Sequence, residues 1–124
     1  YLLGNCDSHL KNHSFLYGTD WRSRRLSPAY DIVCTTILGF DHNLGIDIGD
    51  HRVIDEVVPE DFEYTAGDLK LPLKRYRSIC GEVAESAKNR LNELAEASDS
   101  LGRMASQIKT DALPRIKVLE QFAQ

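Results

Sequence analysis

The sequence predicts an α+β fold that is predominantly helical, with small β-hairpins at the front and a helical bundle behind. Three observations predict it. An aromatic and apolar run over 14–18 is followed by turn residues, and Asn43 to Gly49 alternates apolar with polar residues, both marks of short strands. After Val58 the apolar spacing changes from two to three or four. From Leu73 to Leu94 that spacing is sustained long enough for a helix of several turns. At 124 residues the chain is one domain.

The elements follow in order. Residues 14–18 form the first strand, and Gly18-Thr19-Asp20 turns the chain. Residues 24–30 return as its partner, with Pro28 placing the end of that strand at an edge. Asn43–Gly49 and Arg52–Asp55 make a second hairpin around Gly49-Asp50-His51. Pro59-Glu60-Asp61 suits a first helical turn, because proline tolerates that position and carboxylates favour the positive end of the helix dipole. Phe62, Ala66 and Leu69 would face inward. Pro72 opens a longer helix whose apolar stripe is Leu73, Tyr76, Cys80, Val83, Ala87, Leu91 and Leu94. Leu101, Met104, Ala105 and Ile108 suggest a further helix. Pro114 predicts a break near 110–113, and Leu113, Ile116, Leu119 and Phe122 a final amphipathic helix. There is no internal repeat and no low-complexity tract.

Composition narrows the class. Hydrophobic residues are 42% and charged residues 27%, as in a globular protein rather than a disordered one. No apolar run approaches the ~20 residues of a membrane helix, and no basic segment with an apolar core opens the chain as a signal peptide would. Cys6, Cys34 and Cys80 are widely spaced and make no C-x-x-C pair, which fits a reducing cytoplasm and not a disulfide framework or a cysteine zinc site. The net charge of −4 is uneven: residues 41–68 carry −8, which speaks against nucleic acid lying there. Arg22–Arg25 and Lys70–Arg77 are small basic clusters, read as a solvated turn and a helix start. The first residues, Tyr1-Leu2-Leu3-Gly4, read like the end of a buried element, so a fragment lacking its N-terminal part is expected.

Chemistry concentrates at the front. Asn5-Cys6-Asp7-Ser8-His9-Leu10-Lys11-Asn12 places Asp, His, Lys and Asn within eight positions, and Asp31 follows the next hairpin. Phosphoryl transfer from ATP needs a carboxylate to orient the acceptor hydroxyl, oxygen ligands for Mg²⁺ and a cation near the transferred phosphate. Asp7 can be the base, Asn12 and Asp31 the metal ligands, and Lys11 the cation. Asp7 and Asn12 have the separation that protein kinases use between catalytic Asp and metal-binding Asn. His9 reads as a structural residue bonding the loop backbone, with an imidazole that would allow acid–base work. Cys6 reads as packing, and His13, His42 and His51 as surface or turn residues.

The pattern Gly4-Asn5-x-Asp7-x-His9-x-Lys11-Asn12-x-Ser14, followed by Leu26-x-Pro28-x-Tyr30-Asp31, resembles the HipA-like serine/threonine kinases. The resemblance continues through Leu44–Gly49, Ile54-Asp55 and Glu60-Asp61-Phe62 and covers about 1–97. It implies a protein-kinase-like C-terminal lobe spanning 1–124, without its N-terminal lobe. Residues 1–35 would carry the catalytic loop, hairpin and metal-binding Asp, 36–58 the second hairpin, and 59–124 the helices. It implies Asp7 as the catalytic Asp, Asn12 and Asp31 as Mg²⁺ ligands and Lys11 near the phosphates, with Asn5, His9 and Tyr30 supporting; Tyr30 would pack beneath the metal. ATP and Mg²⁺ are the implied cofactors. The implied partners are a protein substrate, notably an aminoacyl-tRNA synthetase, and a HipB-like antitoxin through which nucleic acid is reached only indirectly. The chain departs from generic kinases in having Ile32-Val33 after Asp31 and no His-Arg before Asp7, and it contains no Gly-rich phosphate loop. Alone it is expected to be inactive. Two other readings stand beside this one: a lipid or small-molecule kinase lobe, and a non-catalytic module binding an antitoxin or a complementary kinase half through its acidic stretch and amphipathic tail.

Overall fold

The computed structural model describes residues 1–124. Its architecture is α+β: two small antiparallel hairpins in front and three helices behind. The first hairpin pairs β1 (Phe15–Tyr17) with β2 (Arg24–Leu26), Phe15 facing Leu26. The second pairs β3 (Asn43–Ile48) with β4 (His51–Val53). The helices are α1 (Pro59–Asp68), α2 (Leu73–Ala95) and α3 (Ser100–Ala123). No helix is long and apolar enough to cross a membrane.

α2 and α3 run antiparallel. The start of α2 meets the end of α3, with the Tyr76 and Phe122 rings 5.4 Å apart, while residues 96–99 join the opposite ends. Asp99 caps α3 by accepting from Gly102 N at 3.1 Å. A Cβ at Gly102 would lie 1.7 Å from the Ala97 carbonyl oxygen, so this tight reversal requires glycine there. Ile116, Leu119 and Phe122 from α3, Cys80, Ala84 and Leu91 from α2, and Phe62 from α1 close the core over Leu2, Cys6, Leu44 and Ile54 from the front.

Three expectations are corrected. α3 is a single helix through Pro114, with no break at 110–113. Proline removes the N–H that would serve the Thr110 carbonyl, a cost of roughly 3 kcal/mol in a helix interior. Ala112, Arg115, Ile116 and Leu119 around it are all buried, and that packing outweighs the lost bond. Leu69 points outward, 64% exposed, because α1 ends at Asp68 and the chain turns back with Leu71 N on the Ala66 carbonyl at 2.8 Å. The inward face of α2 is narrower than the apolar stripe. Ala84 is fully buried, whereas Leu73, Val83 and Leu94 keep 41%, 49% and 43% of their surface. Val83 and Leu94 instead line an open apolar cleft of about 610 Å³ between α2 and the front segments.

The second hairpin is tied to α1 by a carboxylate and a hydroxyl. Asp61, buried, accepts from Val58 N at 2.8 Å, Asp50 N at 3.2 Å and His51 Nδ1 at 2.7 Å. Gly49 N donates to Thr65 Oγ1 at 3.1 Å, and Thr65 Oγ1 donates to the Asp61 carbonyl at 2.8 Å. Gly49 has φ +57°, and a Cβ there would sit 2.7 Å from Asp61 Cα. His51 is therefore more than a turn residue: its ring is hydrogen-bonded to the buried Asp61 carboxylate.

Candidate active site

The loop of residues 4–13 leaves the core at Gly4 and closes in a 3-10 turn over Leu10–Asn12. Asn12 is buried, and its Oδ1 accepts from His9 N at 3.3 Å, which shapes the turn. The other end of the same amide reaches across the hairpin: Asn12 Nδ2 donates to Asp31 Oδ2. Asn5, also buried, donates from Nδ2 to the Asp31 carbonyl at 3.3 Å. The three residues Asn5, Asn12 and Asp31 are thus brought together from either side of β1–β2.

The hairpin makes this meeting possible although β2 is shorter than the sequence suggests. β2 stops at Leu26, but Ser27 N still bonds the Ser14 carbonyl at 2.8 Å, carrying the chain back toward Asn12. Tyr30 completes the return. Its hydroxyl donates to the Lys11 carbonyl at 3.1 Å, so Ser14 Oγ, 2.7 Å away, donates to Tyr30. Tyr30 lies beside the pair as a loop anchor, with its ring in the wall of the apolar cleft. Asp31 itself has φ +56°, in the left-handed region that costs a non-glycine residue about 1–2 kcal/mol. Strain of this kind persists where surrounding bonds hold it, here the Asn5 and Asn12 amides.

Asp7 makes no direct side-chain bond to that trio. It is exposed, its Oδ1 lies 3.2 Å from His9 Nε2, and it lines a second cleft of about 350 Å³ with Asp41, Asn43 and Arg52. His9 is accordingly held by its own N–H on Asn12 and by its ring against Asp7. Lys11 is exposed and enters no ion pair; only its carbonyl is engaged, by Tyr30. Cys6 is buried packing. His13 Nδ1 lies against the His9 carbonyl at 3.2 Å, and no group of three His, Cys, Asp or Glu side chains converges into a metal cluster.

The donor chemistry of the trio suits a hard cation. Mg²⁺ takes carboxylate and amide oxygens and keeps several waters. Asp31 Oδ1 accepts no hydrogen bond, Asp31 belongs to no ion pair, and Asn12 Oδ1 has a second lone pair beyond the one used by His9. By residue type the pair therefore fits a divalent metal, although the Asn12 amide turns its nitrogen, not its oxygen, toward Asp31. His42 is held differently. Its hydrogen bond with Asp55 raises its pKa above the ordinary histidine value.

Residues that the motif did not reveal hold the loop from behind. Gly4 O accepts from Thr35 N, Thr36 N and Thr35 Oγ1 at 2.9, 3.2 and 2.9 Å. Cys6 N donates to Thr35 Oγ1 at 2.9 Å, and Gly45 N of β3 donates to Cys6 O at 2.7 Å. Nothing in the spacing of Thr35 and Thr36 points to Gly4.

A family model described as the HipA-like C-terminal domain matches residues 1–91, a span that contains every residue of this site. The chain belongs to that family. No curated protein and no solved structure matches it.

Proposed function

We propose that this chain is the catalytic lobe of a HipA-like serine/threonine kinase, the toxin of a toxin–antitoxin module, and that it transfers the γ-phosphate of ATP to a protein. The observation that carries the reading is the Asn12–Asp31 side-chain hydrogen bond, which brings the two implied metal ligands together across the hairpin. Family membership and the position of Asp7 at the head of the same loop support it.

Each residue has a part. Asn12 and Asp31 hold Mg²⁺, which when bound neutralises phosphate charge and fixes the orientation of the transferred group. Asn5 keeps the Asp31 backbone in its left-handed bend so that the carboxylate faces Asn12. Asp7 orients the acceptor hydroxyl and takes its proton, while His9 fixes the Asp7 carboxylate. Lys11, free of ion pairs, offers its ammonium to the phosphates. Tyr30 keeps Lys11 and the hairpin base in register. The phosphate-cradling glycines would come from a second lobe, so the lobe alone is inactive. A HipB-like antitoxin as the restraining partner and an aminoacyl-tRNA synthetase as the substrate belong to the same proposal, as does a cytoplasmic location.

Mn²⁺, a paramagnetic substitute for Mg²⁺, should broaden the amide resonances of Asn5, Asn12 and Asp31 in this chain, and Asp31→Asn should abolish the effect. In the protein carrying both lobes, Asp7→Asn or Asp31→Asn should lower phosphoryl transfer at least a hundredfold with the far-UV circular dichroism unchanged. Wild-type phosphorylation by either variant would falsify the assignment.

A further inference from the structure

We infer that α3, which begins beyond the span matched by the family model, carries two positioning residues for the site, Arg115 and Asp111; the inference deepens the kinase reading and rests on it. Arg115 is 3% exposed, a burial that a guanidinium tolerates only when its donors are used. Its Nε donates to the Leu2 carbonyl at 3.3 Å, its Nη2 pairs with Asp111, and its Nη1 lies 3.8 Å from Asp55. Asp111 Oδ2 in turn accepts from Thr36 Oγ1 at 2.6 Å.

The two contacts fall on different segments of the site. Leu2 lies three residues before Asn5, and Thr36 lies five residues after Asp31. Between them, Thr35 and Thr36 are already bonded to Gly4 O, and Thr35 to Cys6 N. α3 therefore closes a polar ring: Arg115 to the entry of the Asp7 loop, Asp111 to the exit of the Asp31 segment, and Gly4–Thr35 joining the two. The ring acts on Asn12 and Asp31 only through the backbone, since neither Arg115 nor Asp111 touches them.

Packing does not explain these side chains. Ile116, Leu119 and Phe122 already fasten α3 to the core. An Arg can serve a carbonyl and a carboxylate at once because its donors form a rigid planar fork, a geometry that Lys lacks.

The test uses the 124-residue chain with Thr36→Val, which removes the hydroxyl at nearly constant shape, and Arg115→Lys. Amide hydrogen exchange at Cys6, Thr35 and Thr36 should accelerate at least tenfold in both, with Ala84 and Leu119 unchanged. The Mn²⁺ concentration that half-broadens Asn12 and Asp31 should rise at least threefold. Thr36→Ser, which keeps the hydroxyl, should restore both readouts. Unchanged exchange at Cys6 and Thr35, or an acceleration shared equally by Ala84 and Leu119, would overturn the positioning role. If Mn²⁺ fails to broaden Asn12 and Asp31 even in the wild type, the kinase reading falls, and the exchange rates alone decide whether α3 holds the loop.

Discussion

The two hairpins are built alike and held unlike. Both are antiparallel and both have a three-residue strand. In β1–β2 every strand residue is exposed, Phe15 and Tyr17 by more than half, and the Trp21 ring at the tip stacks only on Tyr17, 5.7 Å away. In β3–β4, Leu44 is 6% exposed and Ile54 just after β4 is fully buried, and the Asp61 carboxylate binds the turn to α1. Strand pairing alone stabilises a two-stranded ribbon marginally. What anchors the second hairpin is burial plus a charged hydrogen-bond centre. The first hairpin is fastened only at its base, where Asn12, Ser14, Tyr30 and Asp31 meet. Its anchoring and its candidate chemistry therefore occupy the same few residues.

Matched truncations would break this contrast most sharply. Leu44→Ala should destabilise the chain by about 2–5 kcal/mol, as large-to-small changes in a core do. Leu16→Ala, 42% exposed in β1, should cost less than about 1 kcal/mol. Urea unfolding of the two variants measures both, and equal losses would mean that the first hairpin is packed after all.

Next in size is Asp61→Asn, expected to cost about 2–3 kcal/mol, because hydrogen bonds to a charged acceptor are worth more than neutral ones and the new amide would face N–H donors. The same carboxylate sets an acid limit. Burial raises its pKa, but the Val58 N–H, the His51 ring and the Asp50 N–H outweigh that and hold it below the ordinary carboxylate value. A depressed pKa means that the folded state releases the proton more readily than the unfolded one. Its stabilising contribution is full at neutral pH. It begins to fade near the unfolded value of about 3.9 and is gone once the pH has fallen through Asp61's own lower value. The stability lost between pH 7 and pH 3 should therefore be smaller in Asp61→Asn than in the wild type.

Two glycines give the finest contrast. Gly49→Ala adds left-handed strain and a clash with Asp61 and should loosen the second hairpin by more than about 1 kcal/mol. Gly67→Ala, in α1 with open space around it, should stabilise by up to about 1 kcal/mol on helix propensity. Thermal unfolding midpoints moving in opposite directions would confirm that local backbone demand, not glycine content, separates the two sites.

Much of the fold was legible in the sequence. The change of apolar period after Val58, Pro59 at the start of α1 and the turns of both hairpins all correspond to elements of the structure. What was misread depended on packing. Pro114 signals a break by its local chemistry, yet buried neighbours carry the helix through it. Val83 and Leu94 share the stripe of Cys80 and Leu91, yet they border an open cleft. Of the candidate site, the meeting of Asn12 and Asp31 follows from hairpin geometry. Asp7's separate cleft does not, because its direction is set by how the loop is tied down behind it.

The sequence by itself determined the residue types and the chain order of the site: an acid, a lysine and an asparagine in one loop, then a hairpin, then a second acid. Those are local facts, written in spacing and turn chemistry. Only the tertiary structure decided which of them touch, and which distant groups hold them there. Arg115 reaches Leu2 across more than a hundred residues, and Asp111 reaches Thr36 across 75. No local propensity encodes such a contact, because it exists only after the burial of α3's apolar face has brought the helix behind the loop.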